Sequence, residues 1–271
     1  MKLAISNIAW TAEEDLKVYE LMNTYGFTGL EVAPTRVIAN PYEASEDKII
    51  EFKNIVKKYN IEIVALQSLH FGKRDVKLFG NPQERKNLLN VTKEAINFAS
   101  VIGAKTLVFG SPKVRVINDP VDEMDTAISF FHELGEYANS KHVYLCIEAN
   151  PKAYNTNFIN DTMQAYELVK NVDSNGFKLH VDTGTILING EHLKVLEKVF
   201  HTIYHVHLSE PFLEMINPRN KPFHQELLDY LTMLNYTKWV SVEMIKTSES
   251  NITNIENTLK YIHGVFGGKN V

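Results

Sequence analysis

Four residues of types that ligate metals each close a short apolar run in the second half of the chain. Glu148 follows VYLCI, Asp182 follows FKLHV, His207 follows IYHV and Glu243 follows WVSV. Three carboxylates and one imidazole suit a divalent cation such as Mn²⁺, Mg²⁺, Co²⁺ or Zn²⁺. Without a cation, three converging carboxylates would repel one another and raise their pKa values. If the fold brings the four side chains together, the sequence predicts a site for one divalent metal.

A further histidine precedes two of these residues by two positions. His180 lies two residues before Asp182, and His205 lies two residues before His207. Side chains alternate between the two faces of a strand, so each pair shares a face and the first histidine lies deeper. We interpret His207 as the ligand, and His180 and His205 as inner residues that orient ligands or fill the core by hydrogen bonding.

The elements that would position these residues are strands, because eight apolar runs of strand length recur along the chain. The runs cover residues 2–9, 29–34, 61–68, 105–112, 143–150, 177–184, 203–210 and 239–245. Between them, stretches such as DLKVYELMNTYGF show the 3.6-residue apolar spacing of amphipathic helices. Eight strand–helix units of this total length predict the α/β class and a (β/α)8 TIM barrel. A doubly wound open sheet is the alternative, but no G-x-G-x-x-G follows the first strand.

A barrel of this kind carries its active site at the carboxyl ends of its strands, where the four residues would meet. We predict one domain over residues 1–271, because no composition shift or low-complexity tract marks a linker. The longest loop is expected after the seventh strand, at 211–223, where it would serve as a lid or a binding wall.

The composition excludes several classes of partner. The chain has 28 Lys and Arg against 33 Asp and Glu, a net charge of -5, which leaves no basic excess for nucleic acid. No apolar run reaches the roughly 18 residues of a membrane helix. The single cysteine, Cys146, and a first segment without a signal-peptide pattern lead us to expect the reducing cytoplasm. A small molecule is the expected partner.

The motifs LCIEAN, HVDTGT, HVHLSEP and WVSVEM, with GLEVAP, LQSL, LFG and LVFGSP before them, resemble those of the xylose isomerase-like TIM barrel superfamily. This resemblance covers nearly the whole chain, and the superfamily includes D-tagatose 3-epimerase, hydroxypyruvate isomerase, inosose dehydratase and endonuclease IV. It implies Glu148, Asp182, His207 and Glu243 as ligands of one divalent metal, first of all Mn²⁺. It also implies Glu148 and Glu243 as the acid/base pair on opposite faces of a substrate carbon, and homo-oligomers are common among such barrels.

The chemistry of such a site is intelligible on its own. A metal chelated by a carbonyl and an adjacent hydroxyl lowers the pKa of the neighbouring C–H and stabilises the enediolate. Return of the proton from the other face gives an epimer, and return to the next carbon gives an isomer. We therefore predict an isomerase or epimerase of a small keto sugar or sugar phosphate. A metal-dependent lyase that dehydrates a keto-polyol and a sugar-binding barrel without turnover remain alternatives.

The chain departs from the 3-epimerases at two positions. Those enzymes carry a second acid six residues beyond the strand-five glutamate and a histidine three residues beyond the strand-six aspartate, where this chain has Tyr154 and Thr185. The groups that handle substrate hydroxyls therefore differ. Endonuclease IV needs extra histidines, and the ends of strands three and four offer Gln67 and Gly110 instead, which argues against DNA repair.

Further polar side chains are expected near the same rim. The predicted substrate-binding residues are Glu31, Gln67, His70, Lys113, Arg219 and His224. For Glu31 and His70, a structural hydrogen bond is the alternative to substrate contact. Lys113 would meet a phosphate or carboxylate, which leaves phosphorylated and free sugars undecided. Arg219 and His224 are predicted to close over a bound ligand.

Overall fold

The computed structural model describes residues 1–117, 123–247 and 251–267, and eight parallel strands form a closed barrel in it. The strands follow one another in chain order, and β1 closes the barrel by pairing with β8. They are β1 (Lys2–Ser6), β2 (Gly29–Val32), β3 (Glu62–Leu66), β4 (Thr106–Phe109), β5 (Tyr144–Glu148), β6 (Phe177–Asp182), β7 (Ile203–Ser209) and β8 (Trp239–Glu243). The predicted (β/α)8 barrel is confirmed. Each predicted run contains one strand, and each strand ends before its run does, because the last residues of the run belong to the following loop, turn or helix.

Helices follow the strands around the outside of the barrel. In the described residues they are α1 (Asp15–Thr24), α2 (Pro34–Val37), α3 (Glu46–Lys57), α4 (Pro82–Ile102), α5 (Glu123–Ser140), α6 (Thr162–Val172), α7 (Thr183–Asn189), α8 (Val195–Val199), α9 (Lys221–Met233) and α10 (Asn251–Phe266). None of these is long and apolar enough to cross a membrane. The longest, α4, begins with a capping box between Asn81 and Glu84 and ends at Gly103 with a φ of 94°. These local sequence signals mark the first and last turns of α4.

The two faces of each strand pack against different surroundings, as β8 shows. Val240 and Val242 belong to the main apolar core, which lies between the strands and the helices. Trp239, Ser241 and Glu243 alternate with them and face the barrel interior. The amino-terminal end of that interior is filled by a small cluster of Ala4, Val64, Ala65 and Trp239. The carboxyl-terminal end of the interior is polar. The candidate site therefore lies inside the barrel, and most of the apolar core lies between the strands and the helices.

The prediction that the longest loop follows the seventh strand was wrong. Residues 67–81 after β3 form a longer connection than residues 210–220 after β7. The segment after β7 is shortened because α9 already begins at Lys221, with proline in its first turn, where the backbone amide needs no partner. Two short 3₁₀ turns, Pro211–Leu213 and Pro218–Asn220, occupy most of the remainder. The prediction of a single domain over residues 1–271 stays a prediction.

Gly176 marks a close approach between the start of β6 and α5. A Cβ at this position would overlap the carbonyl oxygen of Gly135 and lie 2.7 Å from the backbone nitrogen of Asn139. We expect Gly176→Ala to lower the free energy of unfolding by about 1–3 kcal/mol, because backbone atoms of a packed helix cannot yield. Urea denaturation measures this change. Gly264→Ala in α10 is the control: apart from its chain neighbours and the backbone of its own helix, no atom lies within 4 Å of its Cβ, and helix propensity predicts a gain of up to about 1 kcal/mol. Equal stabilities of the two variants would contradict the packing argument.

Candidate metal and substrate site

Glu148, Asp182, His207 and Glu243 lie together at the carboxyl end of the barrel. They come from four consecutive strands, β5 to β8, and one ligand atom from each lies within 4.8 Å of the others. All four side chains are buried, with at most 8% of any residue exposed. Protein oxygen and nitrogen ligands bind small divalent metals at about 2.0–2.2 Å, so ligands around one ion are separated by up to about 4.4 Å. The spacing of the four groups is close to this limit.

His207 directs one ring nitrogen at the carboxylates. Its Nδ1 lies 3.1 Å from Glu243 Oε2 and 3.7 Å from Glu148 Oε1. Burial by itself would lower the pKa of His207, but Glu243 and Glu31 beside it raise that pKa well above its usual value. No hydrogen bond partner for Nδ1 is found in the described chain. A buried imidazole nitrogen without a partner, facing two carboxylates, is what a divalent metal requires, and the residues therefore fit one.

Asp182 is held from both sides. One carboxylate oxygen accepts the backbone N–H of Thr185 at 2.6 Å, which makes Asp182 the N-cap of α7, and the other accepts the hydroxyl of Ser209 at 2.5 Å. Burial and the nearby Glu148 carboxylate raise the pKa of Asp182, although the two hydrogen bonds oppose this shift. Sequence reasoning missed Ser209. The signal was present, since Ser209 lies two residues beyond His207 and therefore shares its strand face.

Glu148 reaches the cluster because Gly110, which directly follows the neighbouring strand β4, has no side chain. A Cβ at Gly110, just after β4, would overlap Glu148 Oε2. Behind Glu148, Arg115 is fully buried and donates from Nη2 to Asn150 Oδ1 at 2.6 Å. Gly110 thus does not supply a ligand but provides the space in which one lies.

Glu31, His205 and His180 form the floor of the cluster. Glu31 Oε1 lies 2.8 Å from His207 Nε2, and Glu31 Oε2 lies 3.1 Å from His205 Nε2. Burial would raise the pKa of Glu31, but the two histidines hold it well below its usual value. His180 Nε2 lies 3.7 Å from Glu148 Oε1. Glu31 was predicted to contact substrate, whereas the structure places it, fully buried, behind His207.

A cavity of about 760 Å³ opens from the cluster towards the loops after β3 and β4. Gln67, His70 and Lys113, three of the residues predicted to bind substrate, line it, and their contact with a substrate stays a prediction. Gln67 donates to Ser6 Oγ at 2.6 Å. His70 Nε2 contacts Thr92 Oγ1 at 2.9 Å, and burial lowers the pKa of His70 to about 3, so its ring is neutral.

Two predicted substrate residues lie elsewhere. Arg219 is exposed on the turn Pro218–Asn220, and His224 is buried in α9, where its Nδ1 lies 2.9 Å from the hydroxyl of Tyr261. Neither residue lines the cavity. Because α9 begins before the predicted end of the loop, its helical period carries His224 away from the barrel mouth and towards α10.

A strap, residues 210–214, borders the cavity in the loop where a lid or binding wall was predicted, but its backbone conformation was not predicted. Phe212 and Leu213 have φ values of 59° and 56°, in the left-handed region that non-glycine residues rarely adopt. The Phe212 N–H donates to the hydroxyl of Tyr154 at 2.8 Å, and the Ile245 N–H donates to the Leu213 carbonyl at 2.9 Å. These bonds hold the strained backbone over the cavity, which Phe212, Leu213 and Tyr154 all line.

A buried carboxylate–histidine cluster at the carboxyl end of a (β/α)8 barrel defines a class of metal-site barrels. The model of the xylose isomerase-like TIM barrel family matches residues 19–263. The chain belongs to this family. A search of curated protein sequences finds no significant match.

Several solved structures share the fold over almost the whole chain. D-psicose 3-epimerase from Clostridium cellulolyticum H10, with D-tagatose, has a TM-score of 0.78 at 17% identity, over 98% of this chain and 99% of that one. The 3-keto-D-glucoside 4-epimerase YcjR from E. coli has a TM-score of 0.79 at 17% identity, over 97% and 99%. The IOLI protein with a bound zinc atom has a TM-score of 0.73 at 18% identity, over 99% of each chain. At identities this low, the TM-scores establish a common fold and nothing more specific.

Gly110→Ala tests whether Glu148 depends on the empty space beside it. The added methyl group would displace the Glu148 carboxylate, which is the mobile end of a side chain, so we expect the fold to persist and Mn²⁺ affinity to fall by at least about 10-fold. Metal titration of metal-free protein measures the affinity, and thermal unfolding checks the fold. Gly264→Ala serves again as the control. Unchanged Mn²⁺ affinity in Gly110→Ala would show that Glu148 does not ligate the metal from this position.

Proposed function

We propose that this chain is a divalent-metal-dependent isomerase or epimerase of a keto sugar or keto sugar phosphate. The observation that carries the proposal is the buried cluster of Glu148, Asp182, His207 and Glu243, with the free Nδ1 of His207 facing both glutamates. Of the three solved structures described above, two are named as epimerases, one of D-psicose and one of a 3-keto-D-glucoside, and the third holds a zinc atom. These names support the same chemistry here.

The environments of the carboxylates support a division of roles. Both oxygens of Asp182 are engaged by hydrogen bonds, so this residue is fixed as a ligand. The ion-pair contacts of Glu148 and Glu243 are to histidine rings and use one oxygen of each carboxylate, so each glutamate keeps an oxygen for a substrate proton. When bound, a divalent metal would polarise the keto and hydroxyl oxygens of the substrate and acidify the C–H between them.

The order of the strands supports proton transfer on two faces. β6 and β7 lie between β5 and β8, so Asp182 and His207 separate Glu148 from Glu243. A keto sugar bound above the two central ligands would have one glutamate on each side. One carboxylate would then remove the proton and the other would return one to the opposite face, which inverts the carbon.

The volume and the lining of the cavity indicate what size of substrate it can hold. A volume of about 760 Å³ lies in the upper part of the range for drug-sized ligands, roughly 300–1,000 Å³, and exceeds what a small monosaccharide fills. Lys113 lines the cavity and has no ion-pair partner in the described residues. The cavity therefore has room for a sugar that carries a phosphate or another substituent, and the substrate panel must include substituted and unsubstituted keto sugars.

The metal content of protein purified without chelator tests the first half of the proposal. We expect about one Mn, Co, Zn or Mg per chain, because the cluster offers one set of four ligands, and we expect a weakened content in Glu148→Gln. Inductively coupled plasma mass spectrometry gives the stoichiometry. The control is Glu210→Gln, since Glu210 is a buried acid of the same rim that bonds to Asn217 and Asn220 instead. Wild-type protein that binds no metal, even after Mn²⁺ addition, would refute the proposed function.

Exchange of solvent deuterium into ketoses tests the second half. At saturating Mn²⁺, we expect wild-type protein to label the carbon next to the keto group and to interconvert two epimers. Glu148→Gln and Glu243→Gln should each slow epimerisation by about 10²–10⁴-fold, yet each should still label one epimer through the remaining carboxylate.

Mass spectrometry and ¹H NMR of free ketoses, keto sugar phosphates and keto glycosides separate the possible outcomes of this experiment. Labelling with inversion supports an epimerase, and labelling with transfer of the carbonyl supports an isomerase. Loss of water identifies a lyase. If no compound in the panel is labelled while metal is bound, the catalytic proposal fails.

A further inference from the structure

Glu31 joins two histidines across the interior of the barrel. It comes from β2, whereas His205 and His207 come from β7 on another side of the barrel. One of its carboxylate oxygens lies 2.8 Å from His207 Nε2 and the other lies 3.1 Å from His205 Nε2. All three residues are at most 1% exposed, so water does not replace either contact.

These contacts determine which nitrogen of His207 carries a hydrogen. An ionised carboxylate accepts hydrogen bonds and has none to donate, so the Nε2 of each ring must supply the N–H. The remaining nitrogen of His207 is Nδ1, which lies 3.1 Å from Glu243 Oε2 and has no hydrogen bond partner in the described chain. In the neutral form of His207, which metal ligation requires, Glu31 thus holds the single hydrogen on Nε2 and leaves Nδ1 for the cluster.

His205 completes the arrangement by occupying the second oxygen of Glu31. With His207 alone, one oxygen of a fully buried carboxylate would lack a partner, and the group would be free to rotate about its terminal bond. Two imidazoles at the two oxygens fix the plane of the carboxylate and therefore the direction of the Nε2–H of His207. This explains the two histidines on one face of β7: one reaches the cluster, and the other holds the group that orients it.

We propose that Glu31 is a positioning residue that selects the Nε2–H form of His207 and so presents Nδ1 as a metal ligand. This inference rests on the proposed metal site. It differs from the predicted role of Glu31 in substrate contact, because the residue reaches the site only through His207. Residues that orient metal-ligating histidines in this way typically contribute about 10- to 100-fold to metal affinity.

Glu31→Gln is the most informative variant. Glutamine keeps the shape of glutamate but replaces one of its two acceptor oxygens with an amide nitrogen, which donates. The amide oxygen accepts an N–H from one histidine, but the amide nitrogen donates to the other, whose Nε2 must then be bare. If that ring is His207, its hydrogen moves to Nδ1 and blocks ligation. We expect the Zn²⁺ affinity of metal-free protein to fall by about 10- to 100-fold, as measured by competition with a chelating dye.

Glu210→Gln is the matched control, since Glu210 is another buried glutamate and makes its hydrogen bonds to Asn217 and Asn220. We expect its Zn²⁺ affinity to equal that of the wild type. Glu31→Leu offers neither histidine an acceptor, so it decides the case in which the amide oxygen of Glu31→Gln turns to His207. If wild-type protein binds Zn²⁺ and Glu31→Leu binds it equally well, the inference about Glu31 is wrong and the metal site stands. If wild-type protein binds no Zn²⁺, the proposed function fails together with the inference.

A spectroscopic measurement distinguishes positioning from a structural role and needs no variant. In the Zn²⁺-loaded wild-type protein, ¹⁵N NMR of the histidine rings should show His207 protonated at Nε2, with its Nδ1 shifted by the metal. A His207 protonated at Nδ1, or ligating through Nε2, would overturn the proposal even if Glu31→Gln fails to fold.

Discussion

The constraint on which the rest of this structure depends is the repulsion between carboxylates inside a closed barrel. Glu31, Glu148, Asp182 and Glu243 are all buried at one end of it. Charges in a low-dielectric interior persist only where hydrogen bonds or opposite charges compensate them. Glu31 and Asp182 have donors on both oxygens, whereas Glu148 and Glu243 face a histidine whose remaining nitrogen has no partner. The carboxylate charge that hydrogen bonds do not compensate is therefore concentrated at one point, between Glu148, Glu243 and His207.

Arg115 contributes to this balance without forming an ion pair. It is fully buried, its hydrogen bond goes to the neutral Asn150, and neither Nε nor Nη1 has a partner in the residues that the structure describes. Burial lowers the pKa of Arg115 to about 10, and Glu148 opposes that shift. A guanidinium keeps its charge even so. We interpret Arg115 as a fixed positive charge behind Glu148 that offsets part of the acidic cluster, while its distance leaves the Glu148 carboxylate available to other partners.

The sequence predicted the parts of this arrangement that depend on local periodicity. The two-residue repeat of a strand and the position of each run's end suffice to place Glu148, Asp182, His207 and Glu243 at one rim. The contact between Glu31 and His207 joins residues 176 positions apart, and its distance depends on how the barrel closes. No local pattern encodes that. The backbone conformation of the strap was equally hidden, because the φ of Phe212 is one that its residue type disfavours and that hydrogen bonds to distant residues impose.

Tyr154 and Thr185 mark two positions at which this chain differs from the 3-epimerases that it resembles. The 3-epimerases carry an acid and a histidine at these positions, which this chain replaces. Here the Tyr154 hydroxyl accepts the Phe212 N–H and supports the strap, while the Thr185 hydroxyl donates to the Ala149 carbonyl. The Thr185 hydroxyl hydrogen is thus used internally, whereas the Tyr154 hydroxyl keeps its own hydrogen to donate towards the cavity that it lines. The proposed metal ligands lie on strands that the barrel fold must build, whereas recognition generally falls to loops that are free to change. We therefore expect substrate recognition in this chain to depend on the cavity walls, many of whose residues follow β3 and β4.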